Sequence, residues 1–398
     1  MHDCPRREKK HLTTALAVLV FIDLLFLPRL LFAFGIPISL LIIIGSLVRE
    51  RLRWRGVICW SALSATMFFC VTYGTIFDSI FMPNESLKRV FQLLTILLFF
   101  FYRVDLPMIR PKLVKVLRAF YIWVFFAMLL FFWDSGLYTK IATFIYPEMQ
   151  NQLEDAISTL RFAYCFSDPN TAGFFLCFTL VAYLSIERNI RWTFFCATLA
   201  TITVVATQSR GAFLALLLIF SFLMYGSPAP QGKKVRIILF IGLFVGLLAI
   251  LFSEEISAAY AVFEGRFEQE DELGGGRAGK YAYFLQNLNL LPFGSGYHLQ
   301  RAGSEFRPHS DLIRLNLAYG VFALPMILYF VYPRRRTQVL LFGVFLIPFL
   351  INTVIDDYRL FPMYLLLFTL LGQIDTARTK TSQRNSLNTY PMARKLTS

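Results

Sequence analysis

Charge is what this chain of 398 residues is short of: Asp, Glu, Lys and Arg together make up 16% of it, against roughly a quarter in an ordinary soluble domain. That scarcity excludes a soluble enzyme. Histidine occurs only 4 times, and the 6 cysteines are scattered, mostly in apolar stretches, with no Cys-x-x-Cys pair. Neither a zinc site nor a disulfide framework is therefore expected. There is no Walker A motif and no glycine fingerprint of a dinucleotide site, so no cofactor is expected either. What is abundant is hydrophobic: 57% of the residues, with 17% aromatic and 43 Phe. Helices facing acyl chains, with aromatic belts at both interfaces, have this composition. The expected fold class is all-α, a polytopic integral membrane protein.

Apolar runs bounded by charges or turn residues fall at 12–27, 31–48, 57–77, 87–102, 114–133, 172–186, 192–207, 211–225, 237–252, 312–332, 338–355 and 360–373. These give about twelve transmembrane helices of roughly bilayer-spanning length. Between the first two, Pro28, Arg29, Gly35 and Pro37 offer two places for the turn, and Asp23 is an awkward guest in an apolar helix. An even number of spans puts both chain ends on one side and makes a demand on the loops, which the sequence meets. Basic residues crowd the N-terminus (Arg6, Arg7, Lys9, Lys10) and the alternate segments 49–55, 103–118, 187–191, 233–236 and 334–336, as well as the tail. By the positive-inside rule these are cytoplasmic. The net charge of +14 then reports topology and attraction to anionic membrane lipids, and nucleic acid is not a required partner. The first apolar run lacks a small-residue cleavage site and is expected to remain as the first span.

Residues 1–373 are thus expected to form a single transmembrane domain, followed by a disordered, solvated cytoplasmic tail at 374–398. Two connections are long, 134–171 and the large loop 253–311 between helices 9 and 10, and both fall outside. Long loops tend to carry function. In the second, Tyr281, Phe284, Leu285 and Leu288 recur at helical spacing, which fits an interfacial helix and equally a packed loop helix.

Few side chains on the outer side can do chemistry. His309 lies just before the tenth helix, where a neutral imidazole can take a proton from a hydroxyl near neutral pH; the alternative is an incidental interface residue. Arg210 opens the eighth helix from outside, against both the macrodipole and the inside bias of basic residues. An anion held by its guanidinium and the free N–H groups of the first turn would offset that, as would snorkelling to lipid head groups. Arg277 and Lys280 lie among glycines whose backbone lets amides approach an anion, or they belong to a solvated loop. Asp168 before Pro169 is a helix start signal as well as a candidate ligand contact. Asp356 and Asp357 crowd the short turn between the last two helices, where a carboxylate can sit beside His309.

With Ser209-Arg210-Gly211-Ala212-Phe213-Leu214, and with His309-Ser310 followed after nine residues by Gly320, the chain resembles the O-antigen ligase and polymerase family. Arg210 and Leu214 match an Arg with Leu four positions on. His309, Ser310 and Gly320 match the second motif, whose closing small position holds Ala323, where Gly, Thr or Val is commoner. The glycine-rich stretch with Arg277 and the run 289–297 look like the family's large periplasmic loop, and the resemblance covers about 168–357. It implies transfer of a glycan from undecaprenyl pyrophosphate onto a hydroxyl, with inversion and without metal or nucleotide, at the periplasmic face of a bacterial inner membrane. The acceptor is lipid A-core for a ligase, or a second lipid-linked glycan for a polymerase. Arg210 and Arg277 would neutralise the pyrophosphate, His309 would accept the proton, and either Asp356 or Asp357 matches the family's carboxylate. A secondary transporter of about twelve helices is the competing class; its usual long middle link is absent, since residues 187–191 are all that joins the sixth and seventh spans.

Overall fold

The computed structural model describes residues 4–26, 37–48, 52–77, 83–145, 159–166, 168–225 and 309–389, with isolated positions elsewhere, among them 293–294, 296, 300–301 and 304–305. The expected span 237–252, apart from the isolated helical positions Leu239 and Gly242, the loop helix around Tyr281, and Arg277 and Lys280 lie outside the described residues. The described residues form helices and their connections, with one small antiparallel ribbon in which Gln300 faces Glu305. In chain order the helices begin with α1 (Cys4–Phe26), α2 (Ile38–Leu47), α3 (Trp54–Phe77), α4 (Pro83–Ile96), α5 (Leu106–Trp133) and α6 (Ser135–Ile145). There follow α7 (Pro169–Ile186), α8 (Ile190–Ala206), α9 (Arg210–Tyr225), α10 (Asp311–Tyr319), α11 (Ala323–Val331), α12 (Arg336–Ile351) and α13 (Leu360–Thr389). Three of them, α3, α5 and α7, are long and apolar enough to cross a membrane, and several shorter apolar helices accompany them. The last helix continues to Thr389, well beyond its apolar part.

Helix α7 is the centre of the bundle. It packs against α5, α8, α9, α12 and α13 and is buried on nearly every side, so its all-round apolar sequence reflects neighbours on every face. Two glycines set its closest crossing, with α9. A Cβ on Gly173 would lie 2.5 Å from the Ala212 Cβ, and one on Gly211 would lie 2.7 Å from the Phe174 ring. Small residues at such a crossing let the backbones approach, which is how helices associate in a solvent as apolar as themselves.

Two expected spans are interrupted, each for a local reason. The run 87–102 begins as α4 and tightens into a 3-10 turn over Leu97–Phe101. The Trp60 indole donates to the Leu94 carbonyl at 3.0 Å, competing with the amide one turn on, and a disturbed ladder tightens in this way. The run 312–332 is not one helix: Gly320, with φ 78° and ψ 179°, separates α10 from α11. That conformation is essentially reserved for glycine. The carbonyls left open at the break find partners, as backbone groups at membrane depth must. Gly296 N–H donates to the Ala318 carbonyl at 2.9 Å, and the Cys70 thiol donates to that of Tyr319. Gly294 lies so close that a Cβ there would meet the Ala318 carbonyl carbon at 2.4 Å. Gly294 and Gly296 therefore sit directly against the end of α10.

Asp23, the awkward guest in α1, is buried and accepts the Ser39 amide at 2.7 Å, at the start of α2. The α12–α13 turn is tied to α1 by Arg359, which is 2% exposed. Its guanidinium donates to the carbonyls of Leu24, Leu25 and Cys165 at 3.1–3.3 Å and to the Cys165 Sγ, and it stacks 4.9 Å from the Phe166 ring. A cation at the C-terminal end of α1 satisfies its last carbonyls and complements its dipole.

Candidate active site

Those of the residues singled out from the sequence that are described gather at one end of the bundle, where four helices start, each with its own cap. Asp168 caps α7, its Oδ1 accepting the Asn170 amide at 3.0 Å, with Pro169 at the first helical position. Ser209 caps α9, its Oγ accepting the Ala212 amide at 3.3 Å. Ser310 caps α10, accepting from Ile313 N at 3.4 Å. Asp357 caps α13, its Oδ1 accepting the amides of Arg359 and Leu360 at 2.7 and 2.8 Å. Direct contacts place these starts together. Asn352, which ends α12, donates from Nδ2 to Asp168 Oδ2 at 3.5 Å and accepts the Asp311 amide at 3.1 Å. A Cβ on Gly173 would meet Thr207 and Ser209 as well as Ala212.

Helix N-termini carry partial positive charge and unused N–H groups. Four of them at one end make a field that favours an anion, and arginines add to it. Arg210 is the first residue of α9 and is exposed. Arg161 reaches the same turn, donating from Nε to the Thr207 carbonyl at 3.2 Å and from Nη2 to Asn170 Oδ1 at 3.1 Å. The turn is held from both sides: Phe162 N–H donates to the Ala206 carbonyl at 3.0 Å, and Gln208 Nε2 to that of Leu160 at 3.0 Å. Gln208 and Leu160 have φ of 50° and 49°, a left-handed backbone that costs energy outside glycine and often marks functional sites.

His309 is half-buried immediately ahead of the Ser310 cap. The spacing of its motif is now physical: Ser310 is the cap of α10, nine residues form the helix, and Gly320 ends it. Ala323, which departs mildly from the motif, is fully buried at the start of α11.

Asp356 and Asp357, left as alternatives by the sequence, play different parts. Asp357 caps α13, whereas Asp356 Oδ2 accepts from Arg314 Nη1 at 2.7 Å. Arg314 also pairs with Asp311, whose Oδ2 accepts the amides of Val354 and Ile355 at 2.6 and 3.1 Å. Asp311 opens α10 ahead of its apolar run. Burial pushes its carboxyl up to about 7, with Arg314 opposing and Asp356 adding to the rise. On α4, Gln92 donates to the Asp356 carbonyl and accepts from Arg89 at 3.0 Å.

The structure thus brings Asp168, Arg210, His309, Asp356 and Asp357 to the same end and adds Arg161, Asp311, Arg314, Asn352 and Gln92. A signal for Asp311 and Arg314 was present in their i, i+3 spacing beside an apolar run, since ionisable residues there are costly and usually functional.

Fold and site together define a membrane protein with an anion-favouring polar end built from helix starts and arginines. Residues 194–327, from within α8 into α11, match the family model described as O-antigen ligase, and to that extent the chain is similar to that family. No curated protein matches it.

Proposed function

We propose that this protein is an O-antigen ligase of the bacterial inner membrane, transferring a glycan from undecaprenyl pyrophosphate to a lipid A-core hydroxyl on the periplasmic face. The observation that carries this reading is the meeting of four capped helix starts with Arg210 and His309, inside and beside a segment that matches the O-antigen ligase model. A pyrophosphate leaving group is the anion such an end favours.

The acceptor hydroxyl oxygen attacks the anomeric carbon from the face opposite the pyrophosphate, with inversion. His309 takes its proton. As the C1–O bond breaks, the electron pair stays with the pyrophosphate, which leaves on its undecaprenyl chain. Arg210, with Arg277 and Lys280 from the loop, neutralises the charge that grows there. Asp168 and Asp357 hold the starts of α7 and α13 around the substrate, and Asp356 is presented beside it by the α12–α13 turn. No step calls for a metal or nucleotide, and purified protein is expected to turn over in the presence of a chelator.

The lipopolysaccharide gel pattern of a deletion strain tests the reading. Loss of a ligase leaves bare lipid A-core while lipid-linked polymer accumulates. Core carrying one repeat unit would instead identify a polymerase that joins lipid-linked repeats, and an unchanged pattern would remove both.

The arrangement in the membrane follows from the basic loops: about twelve spans, both termini cytoplasmic, and loops 134–171 and 253–311 periplasmic. Gly275→Cys is expected to react with an impermeant thiol reagent applied from the periplasm. Labelling that required permeabilising the inner membrane would invert the scheme and put His309 on the wrong side.

A further inference from the structure

Resting on that reading of the reaction, we infer that Arg314 is a positioning residue: it fixes the turn carrying Asp356 and Asp357 against the helix start carrying His309. Its guanidinium spans two elements, pairing with Asp311 on its own helix and at 2.7 Å with Asp356 on the α12–α13 turn. The side chains of Arg314, Asp311 and Asp356 are 4%, 0% and 13% exposed, so the three charges are almost wholly withdrawn from solvent. Gln92 holds the Asp356 carbonyl from α4, leaving the carboxylate to be aimed by Arg314.

Stability does not explain this arrangement. A buried ion pair repays little or none of its desolvation cost and is often replaced by apolar residues without loss. The turn also has pins that do not involve the guanidinium: Asp311 N–H to the Asn352 carbonyl, and the Val354 and Ile355 amides to Asp311 Oδ2. What Arg314 adds is the direction of the Asp356 side chain and the register of the turn beside His309. A displacement of about 1 Å in such a support costs on the order of 100-fold in rate.

The test uses the full-length purified protein, with turnover measured per folded molecule. Arg314→Lys keeps a cation for Asp311 but loses the planar fork that reaches both carboxylates. Arg314→Met combined with Asp311→Asn removes the guanidinium together with the charge of its fully buried partner, leaving only Asp356, the most exposed of the three, without its cation, and it keeps the experiment decisive if the lysine variant folds poorly. Both are expected to lower kcat about 10- to 100-fold, with KM for the lipid-linked donor within about twofold, since the leaving group is held elsewhere. In a His309→Ala background neither should reduce the residual rate further. Wild-type kcat in both variants, a change confined to donor KM, or losses that multiply with His309→Ala would each overturn the positioning role. Near-normal turnover in His309→Ala would overturn the base assignment, and with it any action of Arg314 through His309. An inactive His309→Ala beside a fully active Arg314→Lys would overturn the positioning role alone.

Discussion

Arg210→Lys is expected to lose glycan transfer on the order of 100-fold while accumulating in the membrane as well as the unaltered protein does. The start of α9 is built by the Ser209 cap and by Gly211, which allows the close approach of the Phe174 ring, and the substitution leaves both in place. Lysine keeps the positive charge, so steering toward an anion and the balance with the helix dipoles barely change. What it cannot copy is the planar, two-pronged donor that matches a phosphate. The leaving pyrophosphate gains charge as the glycosidic bond breaks, so the missing contact weighs more on the transition state than on the bound donor. The loss should therefore appear in kcat more than in donor KM. Transfer within about threefold of normal would return Arg210 to the role of a cation facing lipid head groups.

How far the sequence could be read differs from element to element. The apolar runs near α3, α7, α8 and α9 lie on helices with closely similar bounds, and those near α1 and α5 end with their helices but begin about two turns late, where the helix carries charged residues, because apolar length is a local property. Asp168-Pro169 is read correctly as a helix start for the same reason. The break at Gly320 escaped, since an isolated glycine in an apolar run is tolerated in most helices. What fixes it is Gly294 and Gly296 arriving from the loop to cover the end of α10. Helix α6 falls within a segment read as loop. Asp23, out of place in an apolar helix, finds its purpose only when Ser39 comes beside it.

The site divides along the same line. Arg210 and His309 stand in short motifs, so their positions are local information. Asp356 and Asp357 are neighbours in sequence and indistinguishable there, and only the packing of α10 against the turn gives one to Arg314 and the other to the start of α13. Arg161 carries no motif, and it enters the site because the segment after α6 lies against the turn before α9. The meeting of four helix starts is likewise a property of the assembled bundle, as no single run of residues encodes it.

His309→Ala is expected to abolish turnover while donor binding stays largely intact. The imidazole sits immediately before the cap of α10, and the cap bond belongs to Ser310, so truncating His309 leaves the start of the helix and the Asp311 pins standing. The pyrophosphate is assigned to Arg210 and the loop cations, none of which the substitution touches. A sugar hydroxyl is a poor nucleophile until its proton has somewhere to go, and a positioned base is typically worth about 10² to 10⁴ in rate. Glutamine in the same place keeps a hydrogen-bonding amide but accepts no proton near neutrality, so His309→Gln should recover little. The measurement is transfer from a lipid-linked donor by purified protein with chelator present, paired with donor binding to the same preparation. Turnover in His309→Ala within about threefold of normal would leave His309 an interface residue and send the search for the base to Asp168, Asp356 and Asp357. Of these, Asp357 already spends one oxygen on two amides of α13 and Asp168 one on the start of α7. Those oxygens already hold the helix starts, which leaves the imidazole the better placed base at this end of the bundle.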